Sequence, residues 1–198
     1  MNAIRSIAFF DAQFERQVKA NDFALNPFEK LALPYLHGKL LDMGCGLGNL
    51  SIEAARRGCS VLALDASPNA VARIRQAASE EGLPLRAEPA DFETYRIDDI
   101  FDTVAAIGLF MFFPRERALE LLADAQAHVK PEGIAIVNVM VVGTTYMDMF
   151  EAGHYCLFGK TELEEHFAGW EILELRRDTF DAPGQTAKEF TTLIARRS

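Results

Sequence analysis

A short turn in which every second residue is glycine, GCGLG at residues 44–48, restricts the fold of this chain more than any other stretch. The apolar residues 39–43 before it predict a buried strand, and residues 49–57, closed by Gly58, predict a helix. A strand, a glycine turn and a helix in this order begin an open α/β sheet, whose ligands bind outside the carboxyl ends of the strands. The turn is therefore the first candidate for a binding site.

The alternation of strand and helix continues along the chain. Ser67 and Pro68 predict the start of a second helix, which ends at Gly82, and residues 114–129 predict a third, followed by a turn at 130–133. Segments rich in Val, Ile and Ala predict four further strands, at residues 60–65, 83–91, 101–108 and 134–142. We therefore expect a doubly wound, Rossmann-like α/β fold, whose mostly parallel sheet carries helices on both faces.

The two ends of the chain depart from this alternation. Residues 4–36 predict two helices, the second starting near Pro27, and we interpret them as a lid or buttress. Residues 161–164 (TELE) match a capping box that opens a short helix. Residues 170–177 and 190–197 predict two strands without a helix between them, and hence an antiparallel terminal hairpin.

Length and charge limit the classes of partner. With 198 residues we expect one domain, residues 1–198, with a helical lid at 1–36 and a ligand-binding core at 39–198. The net charge is −9 and the basic residues are scattered, which argues against nucleic acid or an anionic membrane as a partner, because phosphates attract clustered positive charge. We therefore expect a small-molecule substrate, and a monomer or homodimer.

Cysteine and histidine usage indicates a cytoplasmic protein with no metal site. The three cysteines form no CxxC pair, and the four histidines show no metal-ligand spacing. The apolar run at the start of the sequence is shorter than a signal peptide or a membrane span requires. We therefore expect no metal, no membrane attachment and a reducing, cytoplasmic location.

Aspartates stand at the carboxyl ends of the first three predicted strands: Asp42 ends the first, Asp65 ends the second and Asp91 follows the third. Because the carboxyl ends of parallel strands share one edge of a sheet, all three carboxylates should face one crevice. A dinucleotide would bring its pyrophosphate to this place, and each extra pair of like charges at ~6 Å would cost roughly 3 kcal/mol at an effective dielectric of ~20. Gly48 is followed by Asn49, so the third glycine of the G-x-G-x-x-G phosphate fingerprint is also misplaced.

A cationic nucleoside suits these acids better than a dinucleotide. Asp42 can accept hydrogen bonds from an ammonium group, Asp65 from both ribose hydroxyls and Asp91 from the exocyclic amine of adenine. S-adenosylmethionine carries all three groups, and glycines at 44 and 46 allow its sugar to approach the backbone closely. We therefore predict S-adenosylmethionine as the cofactor and S-adenosylhomocysteine as the product, although each acid taken singly also fits a turn cap or a surface residue.

The segments LDMGCGLG at residues 41–48 and ADF at 90–92, with Asp65 seventeen residues past the last glycine, resemble the class I S-adenosylmethionine-dependent methyltransferases. The resemblance covers nearly the whole chain and implies a seven-stranded sheet of order 3-2-1-4-5-7-6 with an antiparallel last strand. It also implies a cofactor site at the glycine turn. We expect Phe10, Gln13 and Phe14 of the N-terminal helix to close over its methionine end, although a helix-packing face explains the two phenylalanines equally well. The implied cofactor-binding residues are Asp42, Gly44, Cys45, Gly46, Asp65, Ala66, Ala90, Asp91, Phe92 and Ile107, together with Phe10, Gln13 and Phe14.

A narrower resemblance, to the tellurite-resistance methyltransferase family, rests on LFMFF at residues 109–113, the segment around Leu163 and Trp170, and FTTLIAR at 190–196. The chain departs from that family at Asn49, where the family often carries arginine. It also lacks the family's His-Arg segment between the last two strands.

Methyl transfer from a sulfonium needs an aligned acceptor and the exclusion of water, but no strong base. The segment after the fourth strand (IGLF) lacks the Asn/Asp-Pro-Pro-Tyr pattern of amine-methylating enzymes, so we expect a thiol, a chalcogen oxyanion such as tellurite or selenite, or a small carboxylic or phenolic acceptor. Candidate catalytic residues are His154 as a base, the nearby Tyr146, and Arg177 as a binder of an anionic acceptor. Packed or solvated roles remain open for all three, and Leu109 and Phe110 are candidate walls near the methyl group.

Two other functions remain open from the sequence. The partial glycine match also fits an NAD-dependent oxidoreductase. The missing family histidine also fits a protein of methyltransferase fold that binds S-adenosylmethionine without turnover.

Overall fold

The computed structural model describes residues 5–198, and residues 1–4 of the predicted lid lie outside the described residues. The helices of the described chain are α1 (Arg5–Ala20), α2 (Pro27–Ala32), α3 (Asn49–Arg56), α4 (Pro68–Glu81), α5 (Arg115–Ala127) and α6 (Glu162–His166). The strands are β1 (Lys39–Met43), β2 (Ser60–Asp65), β3 (Leu85–Pro89), β4 (Phe101–Ile107), β5 (Val129–Met140), β6 (Glu171–Ala182) and β7 (Thr186–Arg196). A helix follows each of β1, β2 and β4, whereas β3 and β4 are joined by a segment without a helix, as the sequence predicts.

The seven strands form one sheet of order β3-β2-β1-β4-β5-β7-β6. β1 to β5 pair in parallel, and β7 pairs antiparallel with both β5 and β6. The order implied by the class I methyltransferases is therefore confirmed, including the antiparallel last strand. Since the chain moves outward from β1 to β3 and then returns to the other side of β1, the order reverses between β1 and β4, where ligands bind in open α/β sheets.

Two apolar clusters cover the two faces of the sheet, because alternate residues of each buried strand point to opposite sides. Leu41 and Met43 of β1 pack on the same face as α5 and α6. Leu40, their neighbour in β1, packs on the other face, with α3 and α4. Burial on both faces explains why β1 and β4 read as continuous apolar runs.

The helix cap predicted at residues 161–164 is wrong, and a reciprocal cap occurs elsewhere. Thr161 makes no side-chain cap bond at the start of α6, because its hydroxyl donates to the Glu165 carboxylate at 3.0 Å. At α2, Asn26 Oδ1 accepts from the backbone N–H of Glu29 at 2.9 Å, and Glu29 Oε2 accepts from the N–H of Asn26 at 2.7 Å. This capping box fixes the start of α2 and the direction of the Glu29 side chain.

β5 begins five residues earlier than the sequence predicts, at Val129, so the expected turn at residues 130–133 lies inside the strand. The register of β5 against β4 shifts across these residues, and Glu132 adopts a φ of +62°. A bulge therefore carries the strand past the proline and glycine that suggested a turn. The terminal hairpin is also longer than predicted, with a tight turn at Gly184 and Gln185.

Candidate functional site

A cavity of about 420 Å³ lies at the carboxyl ends of β1, β2 and β4, covered by α1. This is the edge at which the strand order reverses, and the volume lies in the range of small-molecule sites. Asp42, Asp65 and Asp91 all line the cavity. The structure thus brings together the three aspartates that the sequence analysis singles out.

The glycine turn forms one wall of this cavity. Gly44, Gly46 and Gly48 have φ values of +70°, +54° and +74°, in the left-handed region that favours glycine. The N–H of Gly46 donates to Asp65 Oδ2 at 2.8 Å, and the N–H of Gly44 donates to the carbonyl of Leu64 at 2.8 Å. These bonds tie the turn to the end of β2 and hold the Asp65 carboxylate at the wall.

Asp42, at the floor of the cavity, is only 3% exposed. Its Oδ2 accepts a hydrogen bond of 2.6 Å from the Ser51 hydroxyl on α3. Burial raises the pKa of the Asp42 carboxyl to about 7, the Ser51 bond opposes this shift, and the nearby carboxylates of Glu29 and Asp65 add to it. Asp42 therefore changes charge near neutral pH.

Two further acids of the lining share this electrostatic character. Burial raises the pKa of Asp65, although the N–H groups of Ser67 and Gly46 stabilise its ionised form. Glu29 also lines the cavity, and burial raises its pKa against the bond from the N–H of Asn26. Within residues 5–198, neither of these carboxylates nor Asp42 has a cationic side chain as a partner. Uncompensated negative charge of this kind favours a cationic ligand.

Glu29 and Asn49 are site residues that the sequence analysis missed as such. Asn49 lines the cavity, and its Oδ1 is a buried acceptor for which the described part of the chain offers no donor. The capping-box spacing of Asn26 and Glu29 could have placed Glu29 at a helix start. No local pattern shows that either side chain faces a ligand, because that depends on how α2 and α3 pack on the sheet.

Helix α1 covers the cavity with aromatic and polar side chains. Phe10, Gln13 and Phe14 all line it, as the predicted lid requires. Phe14 lies so close to the glycine turn that a Cβ at Gly46 would meet its ring at 3.2 Å, and Phe10 packs edge-on against Phe112 at 5.3 Å between ring centroids. Any ligand at the turn would therefore be shielded from water on the α1 side.

One hydrogen bond ties this cover to the sheet domain. Asp11 Oδ1 on α1 accepts from the hydroxyl of Ser67, the residue that caps α4, at 2.6 Å. We expect Asp11→Ala to speed amide hydrogen exchange across α1 about fivefold, because a net hydrogen bond contributes about 1 kcal/mol. Hydrogen exchange monitored by mass spectrometry measures the effect.

A matched control for this prediction is Glu15→Ala, which removes an exposed carboxylate from the same helix. It should leave the exchange of α1 close to that of the wild type. Equal exchange rates in Asp11→Ala and in the wild type would contradict a tethering role for the Asp11–Ser67 bond.

The end of the cavity away from β2 is apolar and contains a cation. Met140 and Met149 line it beside Phe190, whose ring packs against Phe28 at 4.8 Å. Lys188, on β7, also lines this end, and its ammonium group lies 4.5 Å from the centroid of the Tyr146 ring. Burial lowers the pKa of Lys188. The cavity is thus acidic at one end and carries a cation at the other.

Most of the cofactor-binding residues expected from the resemblance lie around the cavity. Cys45 is buried there, and burial raises the pKa of its thiol well above the ordinary value, so it remains a neutral thiol. Ala90 is 6% exposed and lies behind the residues that line the cavity. Phe110 is fully buried and does not line the cavity, so it is not the wall near the methyl group that the sequence suggests. The expected residues that line the cavity are Asp42, Gly44, Cys45, Gly46, Asp65, Ala66, Asp91, Phe92, Ile107, Phe10, Gln13, Phe14 and Leu109.

The three predicted catalytic residues lie outside the cavity lining. His154 Nε2 lies 2.8 Å from Glu93 Oε1, so this histidine supports a lining residue from behind. The Tyr146 ring packs beneath Lys188. Arg177 is exposed on the edge strand β6 and binds Glu164. Sequence spacing located their loop and strand but could not show which way the side chains point.

The described residues hold no group of three or more His, Cys, Asp and Glu side chains arranged for a metal ion. None of the helices between residues 5 and 198 combines the length and the apolar character needed to cross a membrane.

Comparisons with known proteins find methyltransferases among the proteins that this chain resembles. A family profile described as a methyltransferase domain matches residues 40–133. Hemagglutinin 1 of Eikenella corrodens is 31% identical over 169 residues, which cover 80% of this chain and 54% of that protein. TehB of Haemophilus influenzae, described as a probable S-adenosyl-L-methionine-dependent methyltransferase, is 27% identical over 166 residues, or 80% of this chain and 57% of TehB.

A solved structure supports the same comparison at the level of the fold. The crystal structure of TehB from Haemophilus influenzae superposes with a TM-score of 0.78 at 22% identity, covering 92% of this chain and 65% of that one. The chain therefore spans little more than half the length of the curated relatives it matches.

Proposed function

The chain has the class I methyltransferase fold and resembles the tellurite-resistance methyltransferase family, and from this premise we propose that it transfers the methyl group of S-adenosylmethionine to a small acceptor with a soft or anionic nucleophile. The observation that carries the proposal is the set of buried carboxyl groups without cationic partners, Asp42, Asp65 and Glu29, beside a glycine turn. S-adenosylmethionine would supply a positively charged sulfonium, an ammonium group and a ribose diol to this acidic end.

The residues present fit this cofactor. Asp42 and the unpartnered Asn49 Oδ1 would accept hydrogen bonds from the ammonium group, and Asp65 from the ribose hydroxyls. Asp91, whose Oδ1 already accepts from the N–H of Glu93 at 3.1 Å, keeps lone pairs for the adenine amine. A pyrophosphate at the same place would meet these carboxylates, which argues against an NAD-dependent oxidoreductase.

Alignment and dehydration are the contributions that the chain makes to the reaction. When bound, S-adenosylmethionine would supply an electrophilic methyl group: the acceptor's lone pair would bond to the methyl carbon while the carbon–sulfur bond broke and its electron pair stayed on sulfur, giving S-adenosylhomocysteine. α1, with Phe10 and Phe14, excludes water, and Leu109 and Met111 form apolar walls. The lining provides no histidine within the described residues, so an acceptor that is already ionised suits it best.

The proposed function is tested by isothermal titration of the protein with S-adenosylhomocysteine and with NADH, followed by a screen for S-adenosylhomocysteine release. The screen contains thiols, selenite, tellurite and phenols. Binding of S-adenosylhomocysteine and its release with at least one acceptor would support the proposal. Binding of NADH alone would contradict it, and cofactor binding without release from any acceptor would favour a binding protein without turnover.

The pKa of Asp42 leads to a pH dependence of cofactor affinity. The ionised carboxylate attracts an ammonium group far more strongly than the protonated carboxyl does, so affinity is lost as pH falls through about 7. Between pH 6 and pH 8 the ionised fraction rises about tenfold, and we expect the affinity for S-adenosylhomocysteine to rise by a similar factor. The raised pKa values of Glu29 and Asp65 act in the same direction.

Calorimetric titrations at four pH values in this range measure the effect. Asp42→Asn, which carries no ionisable group, should flatten most of the pH dependence, whereas the exposed Asp98→Asn should preserve it. An undiminished slope in Asp42→Asn would assign the pH dependence to another group.

A further inference from the structure

Lys188, at the end of the cavity away from β2, carries a charge that no carboxylate of the described residues neutralises. Lys188 is the only lysine, arginine or histidine among the described residues that line the cavity. Its ammonium group forms no ion pair with a carboxylate of the described chain and rests on the face of Tyr146. Glu189, its neighbour in β7, points to the other face of the strand and binds Lys160 at 2.8 Å. Glu29 follows Phe28, whose ring contacts Phe190. Its carboxylate accepts from the backbone N–H of Asn26 and does not pair with Lys188.

The position of Lys188 separates it from the cofactor end. Phe190 pairs with Met140 at the carboxyl end of β5, and Lys188 lies two residues before Phe190 on the same face of β7. It therefore projects just beyond the carboxyl ends of the parallel strands. β7 is three strands away from β1, which corresponds to about 14 Å at the usual strand spacing. An amino acid whose ammonium group is bound at Asp42 would lie at the β1 end of the cavity, whereas the ammonium group of Lys188 lies on β7 over Tyr146.

The surroundings of Lys188 also restrict the chemistry of a ligand. Met111, Met140 and Met149 line the same cavity as Lys188. Thioethers and aromatic rings form an adaptable, polarisable surface that suits a soft atom. Burial lowers the pKa of Lys188 because its charge has lost water without gaining a counter-ion. A bound anion would supply the missing counter-ion for Lys188.

We propose that Lys188 forms the acceptor subsite and that its ammonium group binds the negative charge of a small anionic acceptor whose polarisable reacting atom faces the methyl group. This inference rests on the proposed function and adds the residue that selects an anionic acceptor. Lys188 selects anions over neutral molecules of the same shape. Tyr146 holds the ammonium group in place and is a positioning residue.

Binding of selenite to protein saturated with S-adenosylhomocysteine, measured by calorimetry at pH 7, tests the inference without relying on turnover. We expect Lys188→Met, which keeps an unbranched side chain one atom shorter and removes the charge, to weaken selenite binding at least tenfold. Lys188→Arg should retain most of the affinity. Lys30→Met, which removes one exposed charge from α2 outside the cavity, is the matched control and should bind selenite as the wild type does.

A second pair of probes separates charge from shape. Mercaptoacetate and 2-mercaptoethanol both carry a thiol, but only the first carries a carboxylate. Lys188→Met should weaken mercaptoacetate binding about tenfold and leave 2-mercaptoethanol unchanged. Thermal unfolding of each variant checks that it is folded.

The outcomes distinguish this inference from the proposed function. If Lys188→Met binds selenite and mercaptoacetate as tightly as the wild type, or if the wild type binds S-adenosylhomocysteine but neither anion, the acceptor subsite is overturned while the proposed function stands. A tenfold loss of S-adenosylhomocysteine affinity in Lys188→Met would assign Lys188 to the cofactor and also overturn it. A wild type that binds no S-adenosylhomocysteine would refute both.

Discussion

Asp65→Ala should lower the affinity for S-adenosylhomocysteine at least about a hundredfold, the largest effect on binding that we expect from one substitution. The variant loses two hydrogen bonds from the ribose to a charged acceptor, each of about 1.5–3 kcal/mol, whereas a hundredfold change corresponds to about 2.7 kcal/mol. It also leaves the N–H of Gly46, which now donates to Asp65 Oδ2 at 2.8 Å, without its acceptor. Both losses affect the turn that contacts the ligand.

Calorimetric titration measures this change, and two variants serve as comparisons. Asp65→Asn keeps the shape and one acceptor oxygen, so its loss should be intermediate. Asp98→Ala removes an exposed carboxylate remote from the cavity lining and should bind as the wild type does. Unchanged affinity in Asp65→Ala would show that Asp65 does not bind the ribose hydroxyls. It would also remove the main argument that the glycine turn binds a nucleoside.

Gly48→Ala should lower the free energy of unfolding by about 3 kcal/mol, the largest loss of stability that we expect from adding one methyl group. Gly48 precedes α3 with a φ of +74°, a conformation that costs a residue with a Cβ about 1–2 kcal/mol. A Cβ at this position would also lie 2.5 Å from Cγ1 of Ile74, a fully buried side chain of α4. Overpacking of this kind costs a further 1–3 kcal/mol or so.

Gly82 provides a matched control for this effect. It ends α4 with a φ of +64°, but a Cβ there would meet no atom within 4 Å. Gly82→Ala should therefore show the conformational cost alone, about 1 kcal/mol. Urea unfolding of both variants measures the difference.

A double variant isolates the steric part. In the Ile74→Ala background, which removes the clashing atoms, the additional loss caused by Gly48→Ala should fall to the value seen for Gly82→Ala. If Gly48→Ala destabilises the wild-type protein no more than Gly82→Ala does, the close approach of the turn to α4 is not the reason why position 48 requires glycine.

The two ends of the cavity explain how one fold can hold a cofactor and an acceptor of opposite charge. Asp42, Asp65 and Glu29 concentrate negative potential near β1 and β2, whereas Lys188 lies at the end near β5 and β7. A cationic nucleoside would therefore bind at the acidic end and an anionic acceptor at the Lys188 end, because each is repelled from the end that carries its own sign of charge. The proposed reaction would remove the positive charge of the sulfonium and the negative charge of the acceptor together.

The amino-acid sequence alone determined the order and type of most elements, the position of the glycine turn and the edge at which the acids meet. These features are local: glycine is needed where φ is positive, as at Gly44 and Gly46, and buried parallel strands are continuous apolar runs. Asp42, Asp65 and Asp91 could be placed together because they follow consecutive parallel strands, whose carboxyl ends coincide.

Only the tertiary structure decided which side chains face the cavity from elements distant in sequence. Glu29 and Lys188 reach it because α2 packs over the sheet and because the hairpin of β6 and β7 is long enough to extend past it. Arg177 fails to reach it because its side chain lies on the solvent side of an edge strand, where it binds Glu164. The direction of a side chain on a two-sided strand or a covering helix depends on packing between elements, and spacing along the chain does not record it.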